Sequence, residues 1–252
     1  MTMQSLTRRR FAAGLAAGAA LAAAPGKALA DTTVDVMLVL SADVSRSVDA
    51  QKFRMQRDGY AAAIANPQVI RLIQAGPQGR IGLMLVEWAD ADRAAIIVDW
   101  QPIKDVGDAE RFAEQVRTVP RPFMGRTSIS TGIDFAMAQF AKAPFASERR
   151  VIDVSGDGTH NSGRDVLQAR DEAVAAGIII NGLAILSPEP LAFNPTHTHP
   201  PGGLLKYYED NVIGGAGAFA LAAEGFEAFG QLMLQKLIKE IAVDTAALPT
   251  RT

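Results

Sequence analysis

Two apolar runs of strand length end in turns crowded with oxygen-bearing side chains, and this pairing constrains the fold of the chain more than any other feature. The first run, Val34 to Leu40, is followed by Asp43-Val44-Ser45-Arg46-Ser47. The second, Val151 to Ser155, leads straight into Gly156-Asp157-Gly158. A third segment of the same chemistry, Gly125-Arg126-Thr127, precedes a helix-like stretch. In a parallel sheet, loops at the carboxyl ends of neighbouring strands converge on one crevice. Asp43, Asp157, Ser45, Ser47 and Thr127 meeting there would form an oxygen-only site, suited to a hard divalent cation.

The rest of the chain alternates strand-like and helix-like runs, the pattern of a mostly parallel sheet covered on both faces. Helices are expected from Asp49 to Ala65 with Pro67 just past the end, after a cap at Asp108, after Thr127, from Arg164 to Ala176 with Gly177 at the left-handed exit, and from Glu224 to Ala242. Strands are expected at Ile81–Val86, Ala94–Trp100, Ile178–Leu186 and Gly217–Leu221. Only Asp90-Ala91-Asp92-Arg93 separates the first two of these, so they form a hairpin and the later one becomes an antiparallel edge. One long segment, Ser187 to Tyr208, is crowded with Pro and Gly and reads as an irregular, functional loop.

The first thirty residues stand apart. Arg8, Arg9, Arg10 and Lys27 carry charge without any acid, Phe11 to Pro25 is nearly all Ala, Gly and Leu, and Ala28-Leu29-Ala30 is a small-residue terminus. This describes a secretory signal, and Thr7-Arg8-Arg9-Arg10-Phe11 looks like a twin-arginine motif, with cleavage expected after Ala30. The expected organisation is a signal over 1–30, a single domain over 31–252 and a periplasmic or secreted location. The chain holds 25 basic and 27 acidic residues. Removing the four basic residues of the signal leaves a net charge of about −6, which disfavours nucleic acid as a partner. With no cysteine, thiolate metal sites and disulfides are excluded.

Taken together, the Asp-x-Ser-x-Ser, Gly-Arg-Thr and Gly-Asp-Gly segments resemble the metal-ion-dependent adhesion site (MIDAS) of von Willebrand factor A-type (vWA) domains. The resemblance covers Thr33 to Val243 and implies a Rossmann-like, doubly wound α/β fold. In that family the two serines bind the cation directly, the threonine directly or through water, and the two aspartates mostly through water. Carried over, these are Ser45, Ser47, Thr127, Asp43 and Asp157. The resemblance implies Mg²⁺, with Mn²⁺ or Ca²⁺ as alternatives, and a binding protein whose partner offers an acidic side chain to the metal. That partner is expected to be a periplasmic or envelope protein, with Trp88, Asp90, His160 and Asn161 shaping the rim. The chain looks like the small exported single-domain bacterial branch of the family.

Two other function classes are open at this stage. A metal-assisted hydrolase would use Asp157 or His160 as base, but only two acids are in register, and Ser155 lacks a Gly-x-Ser-x-Gly elbow. A structural domain would use its metal only to tie loops. His197-Thr198-His199 is a weak candidate for a second metal pair, since no acidic cluster accompanies it.

Overall fold

A computed structural model describes residues 32–242; the expected export signal lies outside the described residues. In chain order the elements are β1 (Thr32–Thr33), β2 (Met37–Asp43), α1 (Ala50–Ile64), α2 (Pro67–Ala75), β3 (Ile81–Trp88), β4 (Ala94–Ile103), α3 (Val106–Thr118) and α4 (Ile129–Phe140). They continue with β5 (Phe145–Ala146), β6 (Arg150–Gly156), α5 (Val166–Ala175), β7 (Ile179–Leu186), α6 (Pro195–Thr198), α7 (Leu204–Asn211), β8 (Ala220–Glu224) and α8 (Phe229–Ile241). The main sheet has the order β4-β3-β2-β6-β7-β8, with every pair parallel except the β3–β4 hairpin. The Rossmann-like fold with one antiparallel edge strand is therefore as expected.

Side chains of β2 alternate between two cores. Leu38, Leu40 and Ala42 pack with α1, α2, α3 and α8, while Met37 and Val39 pack with α4, α5 and α7. Every residue of β2 and β3 is buried, as expected for central strands covered on both faces. The strand order reverses between β2 and β6, so the crevice beyond their carboxyl ends is the switch point where open α/β sheets place ligands.

Several boundaries differ from expectation. The first central strand begins at Met37 because the Asp35 carboxylate turns away to accept from the backbone of Gln78 and Arg80. It continues through Ser41, Ala42 and Asp43, which pair with β3 although the first and last are polar. Pro67 opens a second helix, capped by Asn66, rather than following the first; proline suits the first helical turn. Asp105 caps α3, and Asp108, in the first turn, donates its backbone N–H to the Asp105 carboxylate. The last strand and helix start later than expected, at Ala220 and Phe229, after a turn in which Gly215 and Gly217 take positive φ. The segment expected to be irregular contains α6 and most of α7.

On the α1/α8 side the sheet carries a buried polar row. Arg57 bonds Glu87 at 2.6 Å, and the Tyr60 hydroxyl meets Ser155 at 2.6 Å. Lys236, with no exposed surface, lies 2.8 Å from Asp153 and 2.5 Å from Glu240, and Asn181 donates to Glu240 at 2.9 Å. This row ties α1 and α8 to β3, β6 and β7. No described helix is long and apolar enough to cross a membrane.

Candidate metal centre

Asp43 closes β2, and its Oδ1 accepts from the Ser45 backbone N–H at 2.7 Å, folding the next residues back over the strand end. That turn brings the Ser45 and Ser47 hydroxyls within 3.1 Å of each other. Ser47 then donates to Asp157 Oδ1 at 2.5 Å, crossing from the β2 loop to the β6 loop. Four of the five expected residues thus form one connected cluster. Thr127 joins less directly. Its backbone N–H donates to Asn161 at 2.9 Å, and its hydroxyl lies 3.3 Å from His197 Nε2. Its loop is held to the Asp43 turn by the Arg46 N–H, which donates to Gly125 O at 3.0 Å. A side chain at position 125 would press within 3.1 Å of Asp90, so glycine there allows the close approach.

Asp43 is fully buried and Asp157 nearly so, and the Oδ2 atom of each lacks a hydrogen-bond partner. Burial first, and then the charge of Asp157, push the Asp43 carboxyl up to about 8. Two buried carboxylates arranged this way are costly unless a cation joins them. Lys52 answers only in part, with Nζ 3.5 Å from Asp157 Oδ2 and 2.9 Å from Ser47 O. Two carboxylate oxygens without hydrogen-bond donors, beside the Ser45 and Ser47 hydroxyls, fit a hard divalent cation. Among the described residues no group of three His, Asp or Glu side chains could hold a metal, so the fit depends on the hydroxyls. A larger cleft, about 1050 Å³, lies at the opposite end of the sheet, lined by Thr33 and Ala242 next to the undescribed termini; it contains none of these residues.

The rim is only partly as expected. Trp88 is completely buried, its indole packed over Gly132, so it belongs to the core and offers no surface. Asp90 serves as a tie between loops. It accepts from Ser162, Ala91 and Arg126, and the Ser162 hydroxyl foremost draws its carboxyl down to about 2. Asn161 is exposed yet bonded twice to Thr127. The backbone N–H of His160 donates to the Tyr207 hydroxyl at 3.2 Å, and its Nδ1 has no partner. Ser155 points the other way, into the core against Tyr60, so it makes no triad with His160. The two histidines of the weak second pair diverge: His197 is buried at the site and His199 is exposed.

Sequence reasoning passed over Arg121 and Tyr208, and took His197 only as half of a weak second metal pair. Arg121 donates to the carbonyls of Val44 at 2.5 Å, Ser45 at 2.9 Å and Val48 at 2.8 Å, holding the whole Asp43–Ser47 turn. Tyr208 is buried with an unpartnered hydroxyl near Gly156 and Asp43, and His197 packs on Gly158. Only the two glycines around Asp157 hinted at these ring contacts; nothing local marked Arg121. Arg121→Ala is expected to cost about 2 kcal/mol, the scale of hydrogen bonds from a charged donor. It is also expected to weaken cation binding, and urea unfolding with a parallel Mn²⁺ titration checks both.

This strand order, with the candidate site at the switch point, is that of the vWA-type α/β fold. The chain belongs to the family described as a protein of unknown function, DUF1194, which it matches over residues 33–245. No curated protein matches it. Among solved structures it is similar to proximal thread matrix protein 1 from the mussel byssus with a zinc-occupied MIDAS motif, at 14% identity and TM-score 0.56, over 84% of this chain and 48% of that one. It is also similar to the pilus adhesin SpaC of Lactobacillus rhamnosus GG, at 11% identity and TM-score 0.59, over 83% and 31%. A von Willebrand factor type A protein from Catenulispora acidiphila aligns at 14% identity and TM-score 0.57, over 83% and 43%. The chain spans less than half the length of each of these solved chains. At such identities the likeness shows the fold.

Proposed function

We propose that this is an exported, metal-dependent protein-binding domain. A divalent cation, Mg²⁺ foremost, would be held by Ser45, Ser47 and Thr127, with Asp43 and Asp157 supplying the negative charge. The observation that carries this reading is the pair of buried oxygens without a hydrogen-bond donor, Asp43 Oδ2 and Asp157 Oδ2, at the switch point of the sheet. The cation, when bound, supplies a Lewis-acidic position that an acidic side chain of a partner can complete. The chain's own residues set the access. Met124 and Phe193, 47% and 84% exposed, sit on the segments that carry Thr127 and His197. A cleft of about 240 Å³ opens beside Asp157, lined by Lys52, Phe226 and Glu227 among others.

The adhesin and matrix-protein context of similar folds is compatible with a binding role, and the first thirty residues support export to the periplasm or beyond. The protein would act as an adaptor or assembly factor for an envelope partner. Immobilised wild-type protein is expected to retain a specific envelope protein in Mg²⁺ and release it in chelator, while Asp43→Asn retains nothing. Equal capture by wild type and Asp43→Asn in Mg²⁺ would sink the mechanism. Turnover of a phosphate or ester substrate by the purified protein would favour the hydrolase instead.

A further inference from the structure

Asp157 lies between two glycines, and both are occupied by rings from one distant segment. A Cβ on Gly156 would lie 2.7 Å from the Tyr208 hydroxyl, and one on Gly158 would lie 2.2 Å from His197 Cε1 and Nε2. Gly158 does not have a positive φ, so its missing side chain is explained by the imidazole pressed against it.

The hydrogen bonds around that imidazole leave one consistent proton arrangement. Asn161 Oδ1 accepts from the Thr127 backbone N–H at 2.9 Å, which fixes the amide's orientation. Its Nδ2 therefore faces His197 Nδ1, at 3.3 Å. An amide NH₂ can only donate, so Nδ1 must accept. The Thr159 hydroxyl, 3.4 Å from the same nitrogen, can donate to it as well. The neutral ring then carries its proton on Nε2, and Nε2 lies 3.3 Å from the Thr127 hydroxyl. Backbone bonds close the unit: Thr159 N–H donates to His197 O, and Asn161 N–H to Thr127 O, each at 2.8 Å.

We propose that His197 is the positioning residue for Thr127, donating from Nε2 to one lone pair of its hydroxyl so that the other lone pair is left for the cation. This rests on the metal reading above. It makes the Pro-rich segment part of the site: the stretch from Ser187 to Tyr208 reaches Thr127 through one side chain held by Asn161 and Gly158. It also excludes His197 as a ligand in this arrangement, because a ring nitrogen bearing a proton has no lone pair to give. Partners that orient a ligand in this way typically change metal affinity by about 10–100-fold when removed.

The test uses the purified wild-type protein, His197→Phe, which keeps a ring but loses the donor, and His197→Gln, which restores an N–H at similar reach. Calorimetric titration with Mn²⁺ is expected to show about 10–100-fold weaker binding for the Phe variant and recovery of most of that loss in the Gln variant. In ¹⁵N-labelled wild type, His197 is expected to show a protonated Nε2 and an unprotonated Nδ1, with or without Mg²⁺. A Phe variant that binds Mn²⁺ like wild type, or a spectrum with the proton on Nδ1, overturns the inference. The spectrum needs no variant to fold. Failure of the metal reading is distinguishable, because then the wild type itself binds no Mn²⁺ whatever its tautomer.

Discussion

Lys236→Met is expected to lose about 3–5 kcal/mol of unfolding free energy, the scale of a buried ion pair broken by removing one partner. Lys236 has no exposed surface, and neither do Asp153 and Glu240, which lie 2.8 and 2.5 Å from its ammonium. Without the lysine, two carboxyl groups face each other in the core between α8 and the sheet. Burial first, and then Glu240, already push Asp153 up to about 7. A carboxyl whose folded value is raised contributes stability at low pH that is lost as pH rises, here from about 4 through about 7. The Lys236→Met defect is therefore expected to be smaller at pH 5 than at pH 8, where both carboxyls would have to stay charged or take up protons. Removing the second charge as well, in Lys236→Met/Glu240→Gln, should recover much of the loss. Urea unfolding at the two pH values checks this; a lysine variant as stable as wild type would show that the cluster does not hold α8.

The second large effect is a crossover at the candidate metal centre. Asp43→Asn keeps an oxygen to accept from the Ser45 N–H and replaces the unpartnered Oδ2 with a neutral group. The Asp43 carboxyl sits near 8 in the fold, so the metal-free wild type loses stability as pH rises from about 4 through about 8. In chelator at pH 8, Asp43→Asn is expected to be more stable than wild type, by a few kcal/mol at most, since each pH unit of one proton's release is worth about 1.4 kcal/mol. A bound cation reverses the order, because it requires the charged carboxylate. The metal-induced increment in wild type is correspondingly expected to grow with pH toward 8, as protons stop competing for Asp43.

Much of this architecture was legible because it rests on local pattern. Runs such as Ile81–Val86 have the length and composition of central strands, and the short Asp90–Arg93 connection favours a hairpin. The cluster of Asp43, Ser45, Ser47 and Asp157 was legible for the same reason: strand ends in a parallel sheet converge. Readings failed where distant partners decide. Asp35 breaks the first apolar run because it bonds to the loop before β3, and Trp88 is core because Gly132, on a helix 44 residues later, leaves it room. His197 looked like a stray loop histidine, since its role depends on Asn161 and Gly158, which only the fold brings to it. Arg121 is the extreme case: a single arginine in a Pro-containing stretch gives no periodic signal, yet it holds three carbonyls of the metal-site turn.

The most direct measurement of the central claim is thermal unfolding of wild type and Asp43→Asn in chelator and then in Mg²⁺, Mn²⁺ or Ca²⁺. At about 100 times its dissociation constant, a cation should add about 2.7 kcal/mol to wild-type stability and nothing to the variant. No shift of wild type with any of the three cations, or a shift that persists in Asp43→Asn, would contradict a metal site built on Asp43.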